Sequence, residues 1–213
     1  MRIRTAPLLA GLCLCLSLTA WAWDAARIQQ QASALSAATQ QLTRQLLQLV
    51  EAQQGQPVMQ QLEQVNRFFN QRMAWRDDQS VWGQVDYWAT PLEMFGKGAG
   101  DCEDLAMGKY FSLLGLGVAE SSLRLVYVRA QWEGRPQAHM VLAWYATPDA
   151  EPYILDNLNP KLLKASERPD LQPVFSFNAQ GLWQGAGAQA AGNPLTRLTI
   201  WRDALARAKA EGF

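Results

Sequence analysis

The chain is poor in the residues that most often announce a metal or redox site. It has one histidine, His139, and three cysteines in 213 residues. Two of the cysteines, Cys13 and Cys15, lie in an N-terminal apolar run and the third is Cys102. With one His and one Cys beyond that run, a structural zinc site has too few ligands. A single cysteine cannot close an internal disulfide. The sequence carries no EF-hand loop pattern and no internal repeat. Its 19 basic residues balance its 19 acidic ones, so charge gives no argument for nucleic acid or an anionic membrane surface. The apolar run LLAGLCLCLSL has 11 residues, too few to span a bilayer comfortably.

That run reads instead as the centre of a secretory signal over residues 1–22. Arg2 and Arg4 precede it, and Ala20-Trp21-Ala22 supplies small residues for cleavage. The mature chain then starts at Trp23 and is exported. It keeps 17 basic and 19 acidic residues, net −2. An uncleaved anchor and a lipoprotein signal are the alternatives. Leu12 before Cys13 fits the lipoprotein pattern poorly. Nine Trp are spread along the chain, which suits packing better than a base-stacking platform.

Residues 23–213 read as one domain. Ile28, Leu35, Leu42 and Leu49 recur every seven residues, with Ala32 and Leu46 between them. This predicts one long N-terminal helix over 25–53, ended by Gly55 and Pro57. Val58, Leu62, Val65 and Phe69 predict a second helix over 58–72. The stretch 74–90 is aromatic and acidic without clear period, so an ordered loop is expected. Its aromatics are candidates for substrate or partner contact, or for local packing. Pro91 opens a short helix that GKGAG breaks. A helix over 102–115 follows, with Leu105, Tyr110, Leu113 and Leu114 as core. Strands are expected at 123–132, 138–146, 152–158 and 173–178. The Gly- and Ala-rich 181–194 segment is expected to be a mobile loop, and a helix near 195–210 closes the chain. Helices first and a meander after them give an α+β class.

Cys102, His139 and Asp156 carry the candidate chemistry. A thiol nucleophile needs a base, and the base needs a third group to fix its tautomer. Cys102 falls at a helix start, where free N–H groups and the dipole favour a thiolate. His139 and Asp156 lie on consecutive strands whose midpoint falls in Thr147-Pro148. A hairpin there sets them roughly opposite, about 5 Å apart at Cβ, which suits an Nδ1–H to carboxylate bond. The plainer reading of each residue alone is a buried, inert thiol and a satisfied core histidine. Spacing does not choose between them.

The run WGQVDYWATPLEMFGKGAGDCEDLAMGKYFSLLGLGV, followed by LRLVYVRA, AHMVLAWY, ILDNL and SFNAQGLW, resembles the bacterial transglutaminase-like cysteine proteases of the LapG type. The resemblance spans about residues 60–183. It implies a papain-like, transglutaminase-type core: a helix bearing Cys packed on an antiparallel sheet bearing His and Asp. It also implies that Cys102, His139 and Asp156 form a catalytic triad. Members of that family are periplasmic and calcium-dependent. They cleave large repeat-containing surface adhesins near the N-terminus, commonly between two alanines. They are held in check by the periplasmic domain of an inner-membrane cyclic-di-GMP receptor.

Cys102 sits among Asp101, Glu103 and Asp104, whose charges oppose a thiolate. Calcium takes six to eight oxygen ligands, and these three residues offer up to six. A bound cation would offset their field at Cys102. The resemblance points to Asp101 and Glu103 as ligands, with Asp104 a third candidate. The alternative is that they only complement the dipole of a helix's first turn. On function, a calcium-dependent endopeptidase competes with two other readings. One is a non-catalytic binding module on the same fold, and the other is an acyl transferase or peptidoglycan peptidase using the same triad.

Overall fold

The computed structural model describes residues 23–213. The expected signal and its cleavage site lie outside the described residues. The chain folds as α+β, with helices first and then a seven-stranded antiparallel sheet. No helix among the described residues is long and apolar enough to cross a membrane.

The single N-terminal helix expected over 25–53 is two helices, α1 (Ala25–Ser33) and α2 (Ala37–Gln53). Ser36 breaks it by capping α2, its side chain accepting from Thr39 N–H, as hydroxyl residues at a helix start do. Leu35 belonged to the apparent seam but is exposed. In α2 the buried face is Thr39, Thr43, Leu46 and Val50. The leucine repeat misled because two threonines occupy that face, and Thr43 Oγ1 satisfies itself on Thr39 C=O at 2.8 Å. Helix α3 (Val58–Arg72) has the expected bounds.

The 74–90 stretch is not only loop. It holds a two-residue strand, β1 (Ala74–Trp75), and a short helix, α4 (Asp78–Trp82). Helix α5 (Pro91–Lys97) begins with a capping box between Thr90 and Glu93 and ends at Gly98 in the left-handed region. Strand β2 (Ala99–Gly100) pairs in parallel with β1. The central helix α6 (Cys102–Gly115) follows. Residues 104–113 of α6 are all buried, the mark of a helix enclosed on every side. Gly108 lets α3 approach, because a Cβ there would lie 2.5 Å from the Phe69 ring.

Strands β3 (Leu123–Trp132) and β4 (Arg135–Trp144) form a ten-pair hairpin, followed by β5 (Tyr153–Leu155) and β6 (Leu163–Lys164). Strand β7 (Leu171–Phe177) then departs from a simple meander and returns to pair with β3. The segment expected as a loop over 181–194 contains two strands, β8 (Leu182–Gln184) and β9 (Ala190–Gly192), which extend the sheet. The order is β6-β5-β4-β3-β7-β8-β9. Arg124 fastens the β8–β9 turn by donating to Gly187 C=O at 2.7 Å, stacked between Tyr145 and Trp183. The last helix is likewise two, α7 (Pro194–Arg197) and α8 (Thr199–Glu211), parted at Leu198. Trp201 of α8 is fully buried against Tyr110, Phe111 and Phe177. This ties the C-terminal helix to the same core as α6.

Candidate active site and acidic cluster

Cys102 is the first residue of α6, and His139 lies on β4, paired across the hairpin with Val128. Both line a cavity of about 460 Å3, with Tyr127, Ala138 and Met140 along one side. Trp75, Val85 and Trp88 also line it. Of these, Trp75 and Val85 are exposed and Trp88 is buried. The remaining aromatics of this stretch pack locally: Trp82 and Tyr87 lie 4.7 Å apart by ring centroids.

Asp156 follows directly after β5. The β4–β5 ladder pairs Leu142 with Leu155, so His139 stands two residues out of register with Asp156. The two still meet. Asp156 Oδ1 lies 2.7 Å from His139 Nε2 and accepts Leu158 N–H at 3.0 Å. The bond uses Nε2, not the Nδ1 expected from a simple hairpin. Nδ1 is thereby the ring nitrogen that Asp156 leaves open. Asn70 of α3 donates to Asp156 C=O at 2.6 Å and holds the chain where β5 ends. The other carboxylate oxygen, Oδ2, accepts from Arg168 at 2.7 Å. Burial raises the Asp156 pKa, but the bonds from His139, Arg168 and Leu158 outweigh it and hold the group well below the usual carboxylate range.

The Cys102 thiol donates to Glu103 Oε2 at 2.9 Å. Burial pushes its pKa well up, the charges of Glu103 and Asp101 add to this, and only the Met140 N–H opposes it. The electrostatic difficulty visible in the sequence is therefore real in the fold.

The carboxylates are more numerous than the three beside Cys102. Asp78, at the start of α4, joins Asp101 and Asp104, with one oxygen of each within 4.8 Å of the others. Asp86, Asp78 and Glu103 form an overlapping group of the same kind. Asp78 accepts Tyr87 N–H at 2.5 Å and Asp104 accepts Ala89 N–H at 2.6 Å. Asp78 Oδ1, Asp101 Oδ1 and Asp104 Oδ2 remain buried without a hydrogen-bond partner. Such orphaned oxygens are costly unless a cation takes them. Burial, with neighbouring carboxylates adding, raises Asp78 to about 6 and Asp104 to about 8, and pushes Asp101 up as well. A compact all-oxygen set suits calcium far better than zinc. Helix α8 braces the 87–90 segment behind the cluster. Arg207 donates to Trp88 C=O and Thr90 Oγ1 to Glu211, both at 2.6 Å.

Asp78, Asp86 and Arg168 did not stand out in the sequence. The first two are brought in by the β1–β2 pairing, where Ala74 N–H bonds Gly98 C=O and Arg76 N–H bonds Gly100 C=O, each at 3.1 Å. The acidic character of 74–90 was the only local sign of them.

A family model described as the bacterial transglutaminase-like cysteine proteinases matches residues 35–170. Among solved structures, EGTA-treated LapG from Legionella pneumophila is 40% identical, with a TM-score of 0.78. The alignment covers 87% of this chain and 97% of that one. Calcium-bound LapG from the same organism is also 40% identical, with a TM-score of 0.76, covering 86% of this chain and 98% of that one. The search of curated proteins found no match.

Proposed function

The chain belongs to the bacterial transglutaminase-like cysteine proteinases, and on that premise we propose that it is a periplasmic, calcium-dependent cysteine endopeptidase. Its nucleophile is Cys102, its general base His139 and its orienting acid Asp156. The observation that carries this reading is the 2.7 Å His139–Asp156 bond at the cavity that Cys102 also lines.

Asp156 fixes the ring with Nε2 as donor, so Nδ1 is free to take the Cys102 proton. The thiolate then attacks the scissile carbonyl carbon, and N–H groups at the start of α6 face the oxyanion. The imidazolium returns its proton to the leaving amine. Water, deprotonated by His139, then attacks the thioester, and Cys102 leaves with a proton restored. Asp78, Asp101, Glu103 and Asp104 would hold calcium, with Asp86 at the margin. The three orphaned buried oxygens support this assignment. The ion would supply positive charge against the carboxylates that otherwise hold Cys102 protonated.

The likeness to LapG supports a large repeat-containing adhesin as substrate, cut near its N-terminus at an Ala-Ala site, so that the adhesin is released and biofilm disperses. It supports a cyclic-di-GMP receptor's periplasmic domain as the inhibitor. The test is incubation with an N-terminal adhesin fragment bearing Ala-Ala, with calcium and with a chelator. Cleavage with calcium, its loss on chelation and its loss in a folded Cys102→Ala variant are expected. Full cleavage by that variant would sink the reading.

A further inference from the structure

Arg168 lies in the turn between the 3-10 segment Ala165–Glu167 and β7. Its side chain is 2% exposed, yet it belongs to no part of the Cys-His-Asp machinery. It lines a small apolar cavity with Val126, Val141 and Ala143, members of an apolar cluster separate from the one that contains α6. It therefore reaches Asp156 through the sheet's second apolar layer. One guanidinium nitrogen spans two carboxylates, 2.7 Å from Asp156 Oδ2 and 2.7 Å from Asp170 Oδ2, while Nε donates to Asp170 Oδ1 at 3.0 Å. Burying an arginine this deeply is costly unless both its charge and its geometry are used. Here the bidentate geometry engages Asp170, and Nη2 extends one bond to the oxygen that His139 leaves free.

We propose that Arg168 is a positioning residue for the reaction, a buried guanidinium anchored by Asp170 whose Nη2 bond holds the Asp156 carboxylate ionised and in the plane His139 requires. This rests on the endopeptidase reading above. Asp156 has two oxygens and two tasks. Oδ1 must accept from Nε2, and the whole group must not rotate or take up a proton in a buried setting. Leu158 N–H bonds Oδ1 and Asn70 holds the Asp156 C=O, but neither supplies charge. The charged and titratable groups that act on Asp156 are His139 from β4, Lys109 from α6, Arg168 and Asp170. Of these, Arg168 alone is a permanent positive charge bonded to Oδ2. With Asp170 beyond it, the Asp156–Arg168–Asp170 set by itself carries net −1, which favours an imidazolium at His139. That favours the ion pair formed when Cys102 gives up its proton.

The experiment uses the full chain in calcium and three variants: Arg168→Met, Arg168→Lys and Asp170→Asn. Cleavage of an Ala-Ala peptide gives kcat and KM, and NMR follows the imidazole of His139, unambiguous because it is the sole histidine. Arg168→Met is expected to lower kcat roughly 10- to 100-fold, the scale of a hydrogen bond to a charged group, with KM within about twofold. The His139–Asp156 pair should take up a proton at higher pH, because a nearby positive charge has gone. Arg168→Lys should restore the charge but not the fork, giving an intermediate kcat and a titration near the parent's. Asp170→Asn should shift both readouts weakly. Should Arg168→Met not fold, the other two decide. Unchanged kcat and unchanged His139 titration in the folded variants would overturn the proposal. The titration is measured without turnover, so it separates failure of this role from failure of the endopeptidase reading, which a fully active Cys102→Ala would show.

Discussion

A methyl group on Gly100 would sit 2.8 Å from Asp104 Oδ2, an oxygen that has no hydrogen-bond partner. The missing side chain at Gly100 is thus what lets Asp104 aim this oxygen into the acidic cluster. Gly100 is not among the residues with positive φ, so its role here is space rather than backbone freedom. Gly100→Ala should push Asp104 aside, since the new Cβ would also lie 2.9 Å from Asp104 Cβ, and weaken calcium binding about tenfold or more. Calorimetry would read this directly. Calcium affinity equal to the parent's would show that Asp104 does not hold the ion.

The cluster also makes a signed prediction for pH. Asp78 and Asp104 titrate in the folded chain at about 6 and about 8, above the ordinary value near 3.9. The folded state therefore holds protons that the unfolded state has released. In chelator, stability should fall as pH rises from about 4 to about 7; above that Lys109, lowered to about 7 by burial, opposes the trend. Calcium should remove most of that slope. Glu211, raised to about 7 by burial, contributes the same sign without calcium, so Glu211→Gln should reduce the residual slope. Asp156 shifts the other way and its stabilisation is lost only at acidic pH, below this window. Melting temperatures against pH, with calcium and with chelator, check it. A flat profile in chelator would show that these carboxylates are not strained.

Asp78→Asn removes a charge from the cluster far from Cys102 in sequence. It should mimic chelation, slowing both iodoacetamide alkylation of Cys102 and peptide cleavage. Asp86, which is exposed, should matter less. If Asp78→Asn behaves as the parent in calcium-dependent alkylation, the ion is held by Asp101, Glu103 and Asp104 alone.

Trp201→Ala tests whether the C-terminal helix is part of the core. Trp201 is fully buried among three aromatic rings. Its loss should cost about 3–5 kcal/mol, seen in denaturant unfolding. A loss under about 1 kcal/mol would mean the site collapses to fill the space.

Much of this arrangement was legible in the chain. The bounds of α3, α6 and β3 follow from strong local patterns closed by Pro, Gly or turn residues. Cys102, His139 and Asp156 stood out because two are scarce and the third lies at hairpin distance. What stayed hidden was decided by tertiary contact. A serine cap overrode the leucine repeat at 34–36. Backbone bonds across β1 and β2 carry Asp78 to Asp101, across a gap in sequence that no periodicity spans. The β8–β9 strands are poor in strand-forming residues and depend on pairing to β7 and on the Arg124 clamp. Arg168 sits in a turn whose sequence shows nothing of its destination.

The contact between Gly108 and the Phe69 ring has a mechanical consequence. With residues 104–113 enclosed, α6 has no clearance to slide or roll without repacking the whole interior. An ion held by the acidic cluster would act where segments 74–90 and 98–101 meet the first turn of α6, without displacing the helix. Any adjustment at the thiol is then local, and the bearing that carries it stays fixed.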